Sequence, residues 1–171
     1  MGNQPKIVTL VFPLNSKLEL VLLGMKRSKD GDPSSGRWNG AGGKVEPGET
    51  VREAAVRELR EEFGLVANPS DLRPAASIDF FFDKEHRFRC HAFLVECRHD
   101  IKSDRRDEEM ERLLWFSQGH LPEEMWPSDH LWLPEVFRGK FIQATAVHSQ
   151  DGSQLLDFRW ECLKPEELIS V

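Results

Sequence analysis

Residues 43–65 read GKVEPGETVREAAVRELREEFGL, and this segment prescribes its own local structure. Val45-Glu46-Pro47-Gly48 suits a type II turn, with Pro at the second position and Gly at the third. Thr50-Val51-Arg52-Glu53 is a capping-box sequence, in which the Thr hydroxyl and the Glu carboxylate each accept from the other residue's backbone N–H. Gly64 is placed for the left-handed conformation that follows a last helical turn. A helix is therefore predicted over residues 51–63. Its apolar arc is Val51, Ala55, Val56, Leu59 and Phe63. Arg52 projects into that arc, which predicts an unpacked first turn.

The same helix carries Glu58, Glu61 and Glu62 within about one third of its circumference. They border the apolar arc rather than the solvent face. Like charges at i,i+4, here Glu58 and Glu62, cost a helix a few tenths of a kcal/mol. Anions near a helix C-terminus oppose the macrodipole by roughly 0.3–1 kcal/mol. A cation reverses both penalties, and Mg²⁺ is a hard ion that takes oxygen ligands and shares substrate phosphates. The competing reading is a solvated acidic face screened by Arg52, Arg57 and Arg60. The glycine loop, turn and cap standing together at fixed spacing favour the metal reading.

The remaining composition narrows the function. A formal charge of −6 disfavours long nucleic acids held by phosphate contacts. Small phosphorylated ligands stay open, because bound cations invert the local field. No stretch approaches the ~20 apolar residues that span a bilayer, so no membrane partner is expected. Residues 1–6 lack a signal peptide's apolar run, and Lys6 stands where a myristoylation site wants Ser or Thr. Cys90, Cys97 and Cys162 form no CxxC pair, which suggests a reduced, cytoplasmic setting without zinc. At 171 residues one domain over 1–171 is expected, as a monomer.

Alternation and turn residues predict strands at 6–12 and 18–26, separated by a Pro-Leu-Asn-Ser turn. Further strands are expected near 75–82, 87–97, 112–116, 141–148 and 154–163, with a second helix over 129–138. Residues 28–36 form a polar loop ahead of Arg37-Trp38-Asn39 and the glycine run 40–43. A mixed sheet packed between helices follows, an α/β fold.

Gly43, Glu49, Arg57, Glu58, Leu59, Glu61, Glu62, Gly64 and Leu65 fill the pattern GX5EX7REUXEEXGU, where U is a bulky aliphatic. The segment resembles the Nudix box of the Nudix hydrolases. The resemblance implies an α/β/α sandwich that hydrolyses a nucleoside diphosphate linked to another group. It implies that Glu58, Glu61 and Glu62 hold Mg²⁺ (or Mn²⁺ in its place), with the Gly42 carbonyl added. Glu49 would pair with Arg57 and tie the loop to the helix.

The likeness extends to GMK at 24–26, GRWNGAGGKV at 36–45, EEMERLLWF at 108–116 and LPEEMWPSDHLWLP at 121–134. These are similar to the animal MutT-type branch of the family, which acts on oxidised purine nucleoside triphosphates such as 8-oxo-dGTP. By that resemblance Thr9, Lys26, Asn39, Trp126, Ser128 and Asp129 contact the nucleotide. Asn39 offers a donor and an acceptor to a purine edge. Trp126 offers a stacking face worth ~1–3 kcal/mol per base. Lys26 brings positive charge. Asp129 can bond a Watson–Crick edge, and its protonation state would decide which one. Ser128 and Asp129 are also suited simply to cap the second helix.

Three departures stand out. Ser128 replaces the first of two adjacent Asp residues, so proton exchange between two carboxylates is lost. The loop before Gly36 is longer, and a Pro-Ser segment replaces an aromatic at one wall of the base pocket. EEMERLLWF has one residue more between its acidic pair and Trp-Phe; the resemblance implies an additional metal carboxylate there, Glu109, with Glu108 and Glu111 as alternatives. The chemistry implied is attack of a metal-activated water on phosphorus, with Glu58 or Glu109 taking the proton. The products would be a nucleoside monophosphate and pyrophosphate. Competing functions are hydrolysis of a nucleotide sugar, dinucleotide polyphosphate or RNA cap, and a silent nucleotide-binding module. The absence of Tyr argues against adenine stacking on Tyr. The complete box argues against a silent module.

Overall fold

The computed structural model describes residues 4–97 and 110–164. In chain order these form β1 (Lys6–Asn15), β2 (Leu20–Lys26), β3 (Trp38–Asn39), α1 (Val51–Phe63), a 3₁₀ turn (Pro69–Asp71), β4 (Arg73–Phe82), β5 (Glu85–Glu96), β6 (Met110–Ser117), α2 (Asp129–Phe137), β7 (Ile142–His148) and β8 (Leu155–Cys162). The sheet runs β3-β2-β1-β5-β4-β7-β8, and β6 also pairs with β2. Its β1–β5 and β4–β7 pairs are parallel and the others antiparallel, so the sheet is mixed as expected.

Strand alternation divides the core into two layers. Val11, Leu22, Phe93, Val95 and Leu113 face Ala55, Leu59 and Phe63 of α1. Phe12, Leu23, Ile78, Ala144 and Ala146 instead join Trp132, Leu133 and Val136 of α2. Neighbouring residues of one strand, such as Val11 and Phe12, thus serve opposite helices, and the architecture is an α/β/α sandwich. Among the described residues no helix is long and apolar enough to cross a membrane.

The predicted turn at Pro13–Ser16 is corrected. β1 continues to Asn15, pairing Pro13 with Val95 and Leu14 with Glu96 on β5. Proline is tolerated because Thr9 and Val11 direct their N–H groups to the glycine loop, away from β5. Pro13 shares their side of the strand, where β1 leaves that loop, and no β5 bond is lost. The unpacked first turn is also corrected. Arg52 Nη1 donates to the carbonyls of Pro69 and Leu72, both at 2.8 Å, and its guanidinium lies 5.4 Å from the Phe93 ring centroid. With Ala54 and Ala55 fully buried, that turn is anchored.

Candidate active site

The local code of residues 46–64 is realised closely. Glu49 N donates to Glu46 O at 3.1 Å, so the turn spans Glu46–Glu49, one residue beyond Val45–Gly48. Gly48 has φ 90°, as the third position of a type II turn requires. Both capping-box bonds between Thr50 and Glu53 are present, and Gly64 is left-handed at φ 69°.

Arg57 organises the acidic stripe. Its Nε donates to Glu49 Oε1 at 2.7 Å and its Nη2 to the Lys44 carbonyl at 3.1 Å, tying loop to helix. Its Nη1 donates to Glu58 Oε1 at 2.8 Å and to Glu61 Oε2 at 3.1 Å. Glu62 is nearly inaccessible and meets Lys26 Nζ and the Gly42 N–H, the latter at 2.8 Å. Burial pushes its carboxyl up to about 7, against the opposing pull of Lys26 and Gly42.

Arg57 and Lys26 therefore supply the counter-charge that the acidic stripe requires. This corrects the argument that the like-charge cost alone calls for a metal. Among the described residues, no three His, Cys, Asp or Glu side chains already form an ion-holding cluster. The donor set nevertheless suits a hard cation. Glu58 and Glu61 converge on a single guanidinium nitrogen, which stands where one positive centre can serve both. Glu58 also presses on the glycine loop: a Cβ at Gly43 would meet its Oε1 at 2.3 Å. Glu109 and Glu108 lie outside the described residues. Glu111 is exposed on β6, at the bulge opposite Met25 and Lys26.

Beside this stripe opens a cavity of about 250 Å³. Thr9, Lys26, Asn39, Trp126 and Asp129, from four separate stretches of chain, all line it. So do Gly42 and Gly43, which makes the cavity continuous with the loop that touches Glu58 and Glu62. Ser34, from the Pro-Ser segment, stands at the wall where an aromatic was missing.

Ser128 is not among the lining residues. It is fully buried, its backbone is already helical (φ −68°, ψ −27°), and its side chain makes no cap bond. Asp129 is buried too. Its Oδ1 accepts from Trp132 Nε1 at 2.9 Å, while Oδ2 has no hydrogen-bond partner. Burial pushes this carboxyl up to about 7, offset in part by the Trp132 bond and the charge of Arg37. Thr9 Oγ1 is likewise buried without a partner. Two unsatisfied polar atoms beside an apolar cavity mark places where a ligand's polar edge can be received.

Several contributors escaped the sequence reading. Phe82 and Phe88 line the cavity, and Phe82 meets Trp126 edge-on at 5.8 Å. Alternation of Phe80 and Phe82 on β4 was an available signal. His148 at the end of β7 lies 5.4 Å from Trp126, fully buried and with neither ring nitrogen bonded. Nothing local to residue 148 announces that proximity.

A glycine loop feeding an acidic helix, beside a partly open and largely apolar cavity, is an arrangement suited to a hydrolase of phosphoanhydrides. The NUDIX domain profile matches residues 4–136, and the chain belongs to the NUDIX family, as a Nudix hydrolase. It is 37% identical over 137 residues to the oxidized purine nucleoside triphosphate hydrolase of Mus musculus, covering 79% of this chain and 81% of that protein. The protein of the same description from Danio rerio is 35% identical over the same shares. Among solved structures, a mutator MutT protein from Bacillus halodurans superposes with TM-score 0.73 at 21% identity, over 91% of this chain and 97% of that one.

Proposed function

We propose that this chain is a pyrophosphohydrolase of oxidised or otherwise modified purine nucleoside triphosphates, releasing a nucleoside monophosphate and pyrophosphate. The observation that carries this reading is the continuity of the Trp126–Asn39–Asp129 cavity with the Gly42–Gly43 rim and, through it, with Glu58 and Glu62. About 250 Å³ is smaller than the ~300–1,000 Å³ of a typical drug-sized ligand pocket, so it suits a base better than a whole nucleotide. With the base inside, the phosphates fall at the rim, next to the acidic stripe. The relatives' described substrate supports the same choice.

Glu58, Glu61, Glu62 and the Gly42 carbonyl would hold Mg²⁺, or Mn²⁺ in its place. The bound ion would neutralise phosphate charge and lower the pKa of a coordinated water. Glu58, set against Gly43 at the rim, accepts the proton as water attacks phosphorus, with Glu109 the other candidate. Trp126 stacks on the base, and Asn39, Asp129 and Thr9 meet its polar edge. Lys26 lies between cavity and helix and is suited to a phosphate or sugar oxygen. The enzyme would act as a single-domain monomer in the cytoplasm, keeping damaged nucleotides out of DNA synthesis.

The test is a substrate panel with Mg²⁺: ordinary and oxidised dNTPs, nucleotide sugars and dinucleotide polyphosphates, with monophosphate, phosphate and pyrophosphate measured. Preferred release of pyrophosphate from oxidised purine dNTPs is expected. Turnover confined to sugars or dinucleotides would move the assignment to those substrates. No turnover on any of them would favour a binding module.

A further inference from the structure

Trp126 lines the cavity while half-buried, and an indole at such a wall needs a backing to hold one orientation. Arg37 supplies it. Its guanidinium sits 4.6 Å from the Trp126 ring centroid. Its donors reach three separate segments: Nε to Pro33 O at 2.9 Å, Nη1 to Met125 O at 2.9 Å and Nη2 to Gly152 O at 3.2 Å. Those segments are the loop before β3, the residue preceding Trp126, and the loop joining β7 to β8. Gly152 itself packs on the indole, since a Cβ there would meet Trp126 Cζ3 at 2.5 Å. That loop is internally braced: Asp151 Oδ1 accepts from Ser149 Oγ at 2.6 Å and from Ser153 N at 3.0 Å. It also lies beyond residue 136, where the family match ends.

We propose that Arg37 is a positioning residue that locks Trp126 as the stacking wall of the base pocket, and that the β7–β8 loop is thereby a specificity-determining part of the substrate site. The inference rests on the purine nucleotide reading above. A planar fork with fixed N–H directions can bond three carbonyls and cover a ring at once, which a lysine ammonium cannot. The cation occupies one face of the indole and leaves stacking on a base to the other. Losing it frees the ring to turn and weakens binding, without touching the groups that act on phosphate.

The test compares Arg37→Met, Arg37→Lys and wild type, each labelled with 5-fluorotryptophan, with Trp126→Phe used to assign the Trp126 fluorine resonance. In Arg37→Met the Trp126 resonance should shift or broaden. KM for an oxidised purine dNTP should rise about tenfold while kcat stays within about twofold. Arg37→Lys should give a smaller rise, because it restores the cation without the fork. If Arg37→Met fails to fold, Arg37→Lys carries both readouts. An unmoved Trp126 resonance, or an unchanged KM, overturns the proposal. So does a fall in kcat with KM unchanged. Should wild type turn over no purine nucleotide, the function assignment fails on its own, and the fluorine resonance still decides whether Arg37 holds the ring.

Discussion

Gly42 donates its backbone N–H to Oε2 of Glu62 at 2.8 Å, so one peptide group belongs both to the pocket lining and to the acidic helix. The two adjacent glycines of this loop answer differently to a methyl group. A Cβ on Gly42 would lie 1.9 Å from the Thr9 carbonyl oxygen, which is backbone and cannot step aside. The three atoms nearest a Cβ on Gly43 all belong to the end of the Glu58 side chain. Gly42→Ala should therefore cost about 3 kcal/mol, which for a chain of this size is roughly 6–12 °C in Tm. Gly43→Ala should melt close to wild type yet lose most activity, because Glu58 is displaced. Thermal denaturation beside turnover checks both, and equal melting temperatures for the two variants would contradict the argument.

Glu61 is the most exposed of the three helix carboxylates, with 59% of its side chain accessible against 3% for Glu62. Among the described residues its ion-pair partner is Arg57, so its removal strains little. Glu61→Gln is expected to fold normally and to turn over several orders of magnitude more slowly. Its Mg²⁺-induced rise in Tm should also shrink, since an ion that binds only the folded chain stabilises it by mass action. Near wild-type rates in this variant would sink the metal role of Glu61.

Asp129 makes stability depend on pH in a defined direction. Its folded pKa, about 7, stands above the ordinary 3.8, so the folded chain holds the extra proton between those values. That contribution is complete below the unfolded pKa and is lost as pH rises through about 7. Asp129→Asn keeps the acceptor for Trp132 and cannot titrate. Wild type should thus lose stability relative to Asp129→Asn between about pH 4 and 7. Urea denaturation across that range reads the difference, and a constant gap would refute it. Taking the difference cancels Glu62, which shifts in the same direction.

His148 runs the other way. Burial, and next the charge of Arg37, lower its pKa from 6.5 to about 4. The neutral ring's contribution is present above 6.5 and fades as pH falls toward 4. In an NMR titration the His148 ring should stay neutral down to about pH 5, well below an ordinary histidine. A midpoint near 6.5 would show that the ring is hydrated rather than enclosed by Phe80, Phe82 and Trp126.

Sequence legibility followed the range of the interactions. The helix could be read to its observed ends because Thr50, Glu53 and Gly64 write its boundaries within one turn. The Glu49–Arg57 tie was legible from the family pattern for a similar reason: both partners lie in one motif. Pro13 misled because its cost depends on which edge of β1 carries the neighbouring bonds, a property of the sheet. Arg52 misled because its acceptors, the Pro69 and Leu72 carbonyls, come from another segment. The pocket residues Asn39, Trp126 and Asp129 were reachable only through resemblance. Ser128 was included with them, but its place at the start of α2 turns it into the protein. Arg37 and His148 act on partners far along the chain, Met125 and Gly152 for the first and Phe80 and Phe82 for the second, where no local pattern records them.

Arg57 carries one further consequence. Because a guanidinium already satisfies Glu58 and Glu61, the chain has no electrostatic reason to unfold when divalent ions are scarce. Folding therefore does not require metal, although a bound ion would add stability by mass action. A shortage would idle this protein rather than mark it for degradation, and a returning supply would find a finished scaffold instead of a chain that must fold again.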